Sequence, residues 1–148
     1  PSIEGVAGRI VHTGPTGSGH TMKLLNNFIA MGYAALYSEA LTVGAKAGVS
    51  PKVFDQVIRG GRMECPFYVT FFDYVLNRNE KAHIFTLSNA LKDMTYLASC
   101  AQSNGVANPM GAAVRNSFAT AVGTGNAQRY VPMLSDIVAG LNGVKLTD

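Results

Sequence analysis

Apolar residues dominate one long, uninterrupted segment near the start of the chain. From His20 to about Ala47 only Gly32 and Gly44 disfavour a helix, and the segment FIAMGYAALY in its middle is apolar in every direction. Ser18 is predicted as the N-cap and Gly48 as the C-terminal stop. The pattern predicts a helix of roughly 30 residues that is enclosed by its neighbours at the centre of the domain.

After this helix the chain repeats shorter apolar segments that are separated by Gly, Asn and Pro. Each is predicted as a helix, over residues 50–58, 66–76, 86–103, 109–122 and 129–141. The alternating segment Gly8–Thr13 is predicted as a strand without a partner in the sequence. The predicted fold is therefore all-α, with about six helices arranged around the long central one.

The composition is apolar for a chain of this length. Hydrophobic residues make up 47% of the 148 residues and charged residues 14%, so part of the surface is expected to be buried against a second domain, a second copy, or both. The net charge of +3 comes from scattered Lys and Arg, so nucleic-acid binding is not expected. Cys65 and Cys100 are expected to be reduced thiols of a cytoplasmic protein, and no metal site is predicted.

No membrane association is expected from the sequence. The longest apolar run, Phe28–Tyr37, is too short to span a bilayer and is followed by Ser38 and Glu39. Glu39 is expected to be a buried, hydrogen-bonded carboxylate. The N-terminus lacks the basic and apolar segments of a signal peptide. Because the chain begins with Pro1 rather than Met, we expect that it was processed or cut from a longer polypeptide.

The densest candidate chemistry lies in the segment GPTGSGHTMKLLNN, residues 14–27. Its glycines allow the backbone to approach a ligand closely. The amides of Ser18, Gly19 and His20 are predicted to be free N–H donors at the positive end of the long helix. That end favours an anion such as a carboxylate.

Three polar side chains follow one turn further into the predicted helix. Lys23 and Asn27 are spaced i, i+4 and share a face, with Asn26 beside them. A lysine in the first turn opposes the helix dipole, and adjacent asparagines disfavour a helix. These unfavourable choices indicate a site for a small hydroxy acid, with amides on the carboxylate and with Lys23 and Asn27 on the hydroxyl. The alternative is an ordinary glycine-rich turn followed by solvated side chains.

The same residues resemble a signature of the β-hydroxyacid dehydrogenases, the family of 3-hydroxyisobutyrate dehydrogenase and tartronate semialdehyde reductase, to which 6-phosphogluconate dehydrogenase is more distantly related. The signature G-x-x-G-x-G-x-x-x-K-x-x-x-N reads here as Gly14, Gly17, Gly19, Lys23 and Asn27. A second motif of that family, F-x-x-x-x-x-x-K-D, reads as Phe85, Lys92 and Asp93. The two motifs stand in the family's order, and the resemblance covers nearly the whole chain.

The resemblance implies an NAD(P)-dependent oxidoreductase that transfers hydride between NAD or NADP and a small 3-hydroxy acid or its semialdehyde. It implies Lys23 as the general acid/base and Asn27 as the residue that holds the substrate oxygen or orients Lys23. The same resemblance implies that the substrate is bound by Ser18, Gly19, His20 and Asn26. Phe85 and Lys92 would face the cofactor. The implied fold is the C-terminal helical domain of 6-phosphogluconate dehydrogenase, which would form a homodimer or tetramer.

One part of the family pattern is absent. The dinucleotide-binding fingerprint G-x-G-x-x-G after a strand does not occur, and the run GPTGSG does not replace it because no βαβ unit follows. Residues 1–13 are therefore expected to be the last strand of a nucleotide-binding domain, and residues 14–148 a substrate-binding and dimerisation domain that is inactive alone. The alternatives are an imine reductase or 6-phosphogluconate-type enzyme on the same scaffold, and a non-catalytic helical dimerisation module.

Overall fold

A computed structural model describes residues 11–147, and this part of the chain is built from six α-helices. The helices are α1 (Ser18–Lys46), α2 (Pro51–Ile58), α3 (Pro66–Asn77), α4 (Leu87–Ser103), α5 (Pro109–Ala121) and α6 (Leu134–Leu141). The predicted all-α fold is confirmed. Of the predicted strand Gly8–Thr13, residues 11–13 are irregular rather than extended in a strand, and residues 8–10 lie outside the described part.

The long helix α1 is the centre of the fold, as predicted. It packs most extensively against α6 and α4 and also contacts α5, α2 and α3. Its inner side is closed by these neighbours, with Met31, Ala34 and Leu41 almost completely buried. The prediction that α1 is enclosed by its neighbours is met on that inner side, but within residues 11–147 the other side of the helix is left uncovered. Ile29 and Leu36 on the other side are more than half exposed.

By length and composition α1 could also cross a membrane. A core helix passes the same test, because both environments select long apolar segments. Here the inner side of α1 packs against α4, α5 and α6 of the same domain. Its place in the core therefore accounts for the apolar composition of that side.

Helix α3 supplies the aromatic part of the core. Tyr68, Phe71 and Phe72 are fully buried, and the rings of Tyr68 and Phe72 stack with centroids 4.1 Å apart. Tyr37 of α1 meets the ring of Phe71 edge-on at 5.3 Å. These aromatic rings of α3 thus belong to the core of the domain.

Two carboxylates tie α3 to its neighbours through the polar ends of tyrosines. Asp55 of α2 accepts hydrogen bonds from the Tyr68 hydroxyl at 2.9 Å and from Arg59 Nε at 2.8 Å. At the other end of α3, Asp136 of α6 accepts from Tyr74 at 2.6 Å and from an Arg78 guanidinium nitrogen at 2.7 Å. Burial and the adjoining carboxylate raise the pKa of both tyrosines, which keeps their hydroxyls as donors.

The connection from α5 to α6 differs from the predicted helix over residues 129–141. Tyr130 is extended and forms an isolated antiparallel bridge with Thr86, and a 3₁₀ turn, Val131–Met133, precedes α6. The amide of Val131 also donates to the carbonyl of Phe85 at 2.9 Å. Pairing with the segment before α4 takes these residues out of a helix, so α6 begins only at Leu134.

Candidate functional site

The site begins with a tight turn that leads into α1. Gly17 is the N-cap of α1 with a φ of 92°, a left-handed conformation that favours glycine. Ser18, predicted as the N-cap, is instead the first helical residue, and its hydroxyl lies 2.8 Å from the hydroxyl of Thr13. The turn therefore closes back on the segment before it, and this contact fixes the entry of the chain into the helix.

The amide donors at the helix end are fewer than the sequence suggested. The Ser18 amide is not free, because it donates to the carbonyl of Pro15 at 3.0 Å. The amides of Gly19 and His20 meet no acceptor among residues 11–147, and both residues are exposed. Two N–H groups at the positive end of a 29-residue helix remain to bind an anion, beside the Ser18 hydroxyl.

Lys23 and Asn27 lie on the side of α1 next to α4. Lys23 is exposed and Asn27 is half-buried, while Asn26 is exposed on the neighbouring face. The Asn27 carboxamide nitrogen donates to a carboxylate oxygen of Asp93 in α4 at 2.7 Å. Asp93 is only 8% exposed. Asn27 and Asp93 are 66 positions apart in the sequence, and their hydrogen bond joins the two sequence motifs.

The Asn27–Asp93 bond fixes which end of the carboxamide faces the site. A carboxylate only accepts hydrogen bonds, so the NH₂ group of Asn27 must point at Asp93. The carbonyl oxygen of Asn27 is then the end that can accept a hydrogen bond, and no donor among residues 11–147 bonds to it. An acceptor beside an i, i+4 lysine can hold the lysine ammonium or the hydroxyl of a bound acid.

Asp93 is the site residue that reasoning from the sequence missed. It stood inside the second motif next to Lys92, but nothing in its spacing indicated that it would reach α1. Asp93 is a buried carboxylate that pairs with no cation among residues 11–147, and this feature becomes visible only in the packing of α4 on α1.

Phe85 lies just before α4, and Lys92 lies on α4 beside Asp93 in the sequence. Phe85 is half-buried; its ring meets that of His83 edge-on at 6.3 Å, and its backbone is bound to Val131. Lys92 is exposed, and no carboxylate of the described residues pairs with it. Among residues 11–147 neither Phe85 nor Lys92 bonds to Lys23 or Asn27, so of the predicted site residues the structure joins only Asn27 to the second motif, through Asp93.

Residues 17–132 match the model of a protein family described as "NAD-binding of NADP-dependent 3-hydroxyisobutyrate dehydrogenase". The chain is 29% identical to 3-hydroxyisobutyrate dehydrogenase of Pseudomonas aeruginosa, over 80% of the chain and 42% of that protein. It is 26% identical to glyoxylate/succinic semialdehyde reductase 1 of Arabidopsis thaliana, over 80% of the chain and 40% of that protein. The chain thus spans less than half the length of these relatives.

Solved structures of similar fold carry related names. A 3-hydroxyisobutyrate dehydrogenase of Mycobacterium tuberculosis, whose structure is described with L-serine, superposes with a TM-score of 0.77 at 21% identity, covering 92% of this chain and 48% of that one. The 3-hydroxyisobutyrate dehydrogenase of Salmonella typhimurium superposes with a TM-score of 0.74 at 20% identity, covering 82% of this chain and 42% of that one. These likenesses confirm the helical fold. The resemblance carried by the two motifs is confirmed by the family match, and the chain belongs to the family of NAD-binding domains of NADP-dependent 3-hydroxyisobutyrate dehydrogenase.

Proposed function

We propose that this chain is the C-terminal half of an NAD(P)-dependent oxidoreductase that transfers hydride between the nicotinamide and a small 3-hydroxy acid or its semialdehyde. The observation that carries the proposal is the position of Lys23. Its side chain shares a face of α1 with Asn27, whose carboxamide is held by the buried Asp93. Lys23 also lies about one turn inside the helix end at which the amides of Gly19 and His20 meet no acceptor among residues 11–147.

Each half of a small 3-hydroxy acid has a matching group in this arrangement. The amides of Gly19 and His20 and the hydroxyl of Ser18 bind the carboxylate, because the helix end favours negative charge. Lys23 takes the proton from the substrate hydroxyl during oxidation and returns it to the carbonyl oxygen during reduction. The oxygen of Asn27 orients the lysine ammonium or the substrate hydroxyl. Asn26, which is exposed next to Asn27 on α1, is assigned to substrate binding as well.

Supporting chemistry comes from the relatives. L-serine, named with the Mycobacterium tuberculosis structure, is itself a carboxylate with a hydroxyl on its third carbon. The names of the other relatives refer to 3-hydroxyisobutyrate, glyoxylate and succinic semialdehyde, which are all small carboxylates. A site with one anion-binding helix end and one proton-transferring lysine suits this whole class.

NAD or NADP, when bound, supplies the hydride acceptor or donor. Phe85 and Lys92 are the residues of this chain that we assign to the cofactor side: Lys92 is an exposed cation without a carboxylate partner in the described region, and Phe85 offers a partly exposed ring. The remaining cofactor contacts are assigned to a nucleotide-binding domain that precedes the helices. We also propose that the working enzyme is a cytoplasmic homo-oligomer.

The test compares the 148-residue chain alone with the same chain joined to the nucleotide-binding domain of its full-length protein. With oxidised cofactor and 3-hydroxyisobutyrate, or with reduced cofactor and glyoxylate or succinic semialdehyde, we expect turnover only by the joined protein. Lys23 is exposed in the chain alone, which therefore does not exclude water or position a nicotinamide. Turnover by the chain alone contradicts the two-domain proposal, and a joined protein inactive on every small 3-hydroxy acid contradicts the reaction.

A further inference from the structure

A groove at the surface of the domain separates α4 from α5, and we call it the α4–α5 groove. It has a volume of about 510 Å³. Its apolar walls are formed by Ala98, Ala101, Val106 and Ala112, and its polar residues include Thr95 and Arg115. None of the residues that we assign to the substrate or the cofactor lines it. The groove is therefore distinct from the site around Lys23.

Arg115 borders the groove with one end of its guanidinium group fixed. Its Nε donates a hydrogen bond to the hydroxyl of Thr95 at 3.1 Å. Thr95 is oriented in turn, because its hydroxyl donates to the carbonyl of Leu91 at 2.9 Å. The two terminal guanidinium nitrogens of Arg115 meet no acceptor among residues 11–147, and neither of them is buried. Arg115 therefore presents the open, planar end of its guanidinium to a ligand in the groove.

No carboxylate among the described residues balances the charge of Arg115. Arg59 and Arg78, by contrast, pair with Asp55 and Asp136 at 2.8 and 2.7 Å. The other polar side chains that line the groove are neutral hydroxyls and carboxamides. An open guanidinium binds a carboxylate or a phosphate through two parallel hydrogen bonds. The groove therefore favours an anionic group at Arg115.

Apolar residues continue the groove from this charge toward the turn that joins the two helices. Ala98 and Ala112 lie one helical turn beyond Thr95 and Arg115, and Val106, 58% exposed, lies in the joining segment. The N-cap of α5 and Arg115 are seven positions apart, which is roughly 10 Å along the helix. A chain of several carbon atoms fits this length, and its contact with these walls removes apolar surface from water.

The end of the groove away from Arg115 carries a neutral group. The carboxamide of Asn108 lies against the backbone of Gly111, where a Cβ would collide with it. Glycine at this buried position therefore allows Asn108, which is half-buried, to form the wall. Because this end offers a carboxamide rather than a second cation, the groove suits a ligand with one charged end.

We propose that the α4–α5 groove binds a monocarboxylate with a short hydrocarbon chain. The carboxylate lies on the guanidinium of Arg115, and the chain lies along Ala98, Ala112 and Val106. A planar carboxylate matches the guanidinium, and the adjoining apolar walls favour a hydrocarbon over a bare inorganic anion. This second binding site goes beyond the proposed reaction, since its residues have no part in the transfer of hydride or proton.

The first test is an NMR titration of the isotope-labelled 148-residue chain with hexanoate. We expect saturable shifts of the backbone signals of Thr95, Ser99 and Arg115 and of the Arg115 Nε–H signal. Three comparison ligands separate the parts of the proposal. Hexan-1-ol has the chain without the charge, phosphate has the charge without the chain, and adipate adds a second carboxylate at the neutral end. Each is expected to bind about tenfold more weakly than hexanoate.

Each ligand has an outcome that contradicts the proposal. Hexanoate that causes no saturable shift at these residues overturns it. Phosphate that binds as tightly as hexanoate shows a site for inorganic anions only and overturns it as well. Equal binding of hexan-1-ol would show that Arg115 contributes nothing, and equal binding of adipate that the far end does not select one charge; either result overturns the monocarboxylate assignment.

The second test repeats the hexanoate titration with Arg115→Ala. Loss of the guanidinium is expected to weaken binding about tenfold or more, because a charge-assisted hydrogen bond is lost. Arg62→Ala is the matched control and is expected to bind like the parent chain. Arg62 also borders an apolar cavity, of about 340 Å³, but Glu64 lines that cavity with it. Binding that survives Arg115→Ala, or that is lost in Arg62→Ala instead, overturns the proposal.

A third variant, Ala112→Leu, keeps Arg115 and fills the groove. Position 112 is exposed, so the helices are expected to keep their circular dichroism while hexanoate binding is lost. Ala113→Leu adds the same side chain at the next exposed position, which does not line the groove, and is expected to bind like the parent chain. Unchanged binding by Ala112→Leu overturns the proposal. No step of these tests depends on turnover, so their failure leaves the proposed reaction to its own assay.

Discussion

Asn27 is the residue whose orientation decides what the site offers to a substrate. Its NH₂ group is held by Asp93, and its oxygen is therefore the free end. The pair also links α1 to α4 in a partly buried place, where a donor that loses its acceptor costs about 1–3 kcal/mol. The orientation of the Asn27 carboxamide and the stability of the contact between α1 and α4 thus depend on the same hydrogen bond.

We predict that Asp93→Ala lowers the free energy of unfolding by about 1–3 kcal/mol, because the Asn27 NH₂ group loses its acceptor. The measurement is urea denaturation of the 148-residue chain. Asn89→Ala, at an exposed position of α4, is the control and is expected to have a much smaller effect. In a double-mutant cycle with Asn27→Ala we expect a coupling of at least about 0.5 kcal/mol. Strictly additive effects of the two substitutions would show that the bond contributes nothing.

For single residues, the sequence predicted which positions share a face of α1 better than it predicted their hydrogen-bond partners. The i, i+4 spacing of Lys23 and Asn27 follows from helical geometry alone, and the structure keeps them on one face. The bond to Asp93 could not be predicted, since it depends on how α4 packs on α1. The Ser18 amide is not free to bind a ligand because the turn closes onto the carbonyl of Pro15. A glycine-rich pattern does not specify that hydrogen bond.

The helices themselves were largely predictable, because their ends carry strong local signals. Ser50 caps α2 through the amide of Val53, and Thr86 caps α4 through the amide of Asn89. Pro66 opens α3 as a first-turn proline. The start of α6 was predicted too early, because the bridge from Tyr130 to Thr86 is a contact between distant segments that overrides local preference.

The segment before α4 contains a histidine that makes the stability of the fold depend on pH. The His83 ring packs edge-on against Phe67 at 5.6 Å and Phe85 at 6.3 Å. Burial lowers the pKa of His83 below its ordinary value of 6.5, because the charged form loses solvation. The unfolded chain therefore binds a proton at a higher pH than the folded chain does.

We predict that His83 stabilises the fold fully above about pH 6.5 and that this contribution declines as the pH falls toward the lowered folded-state pKa. The urea midpoint of the parent chain is expected to drop between pH 7.5 and pH 5, and that of His83→Phe to drop less. His20→Gln, at an exposed position, serves as the control and should resemble the parent chain. An equal drop in His83→Phe and the parent would rule out this role for His83.

For the whole molecule, composition predicted that part of the surface is covered, but not which part. The middle of α1 is apolar in every direction, so no pattern in the sequence distinguishes its inner side from its outer side. Glu39 was expected to be buried and is exposed, for the same reason. The other helices pack on the side of α1 that carries Met31, Ala34 and Leu41, and the side that carries Ile29 and Leu36 stays exposed.

Asn27 and the exposed apolar residues of α1 occupy different faces of one helix. Asn27 faces α4 and is bound to it, while Ile29 and Leu36 face away from the core. Substitutions on the outer face are therefore expected to leave the hydrogen bond between Asn27 and Asp93 intact.

The central claim is that Lys23 transfers the proton, and steady-state kinetics of Lys23→Ala test it most directly. The assay uses the full-length protein with its nucleotide-binding domain, with Lys52→Ala, an exposed lysine of α2, as the control. Loss of a positioned acid/base lowers turnover by about 10²–10⁴-fold. We expect that loss for Lys23→Ala with an unchanged unfolding transition, and near-parent kinetics for Lys52→Ala. A Lys23→Ala enzyme that turns over at the parent rate would contradict the account.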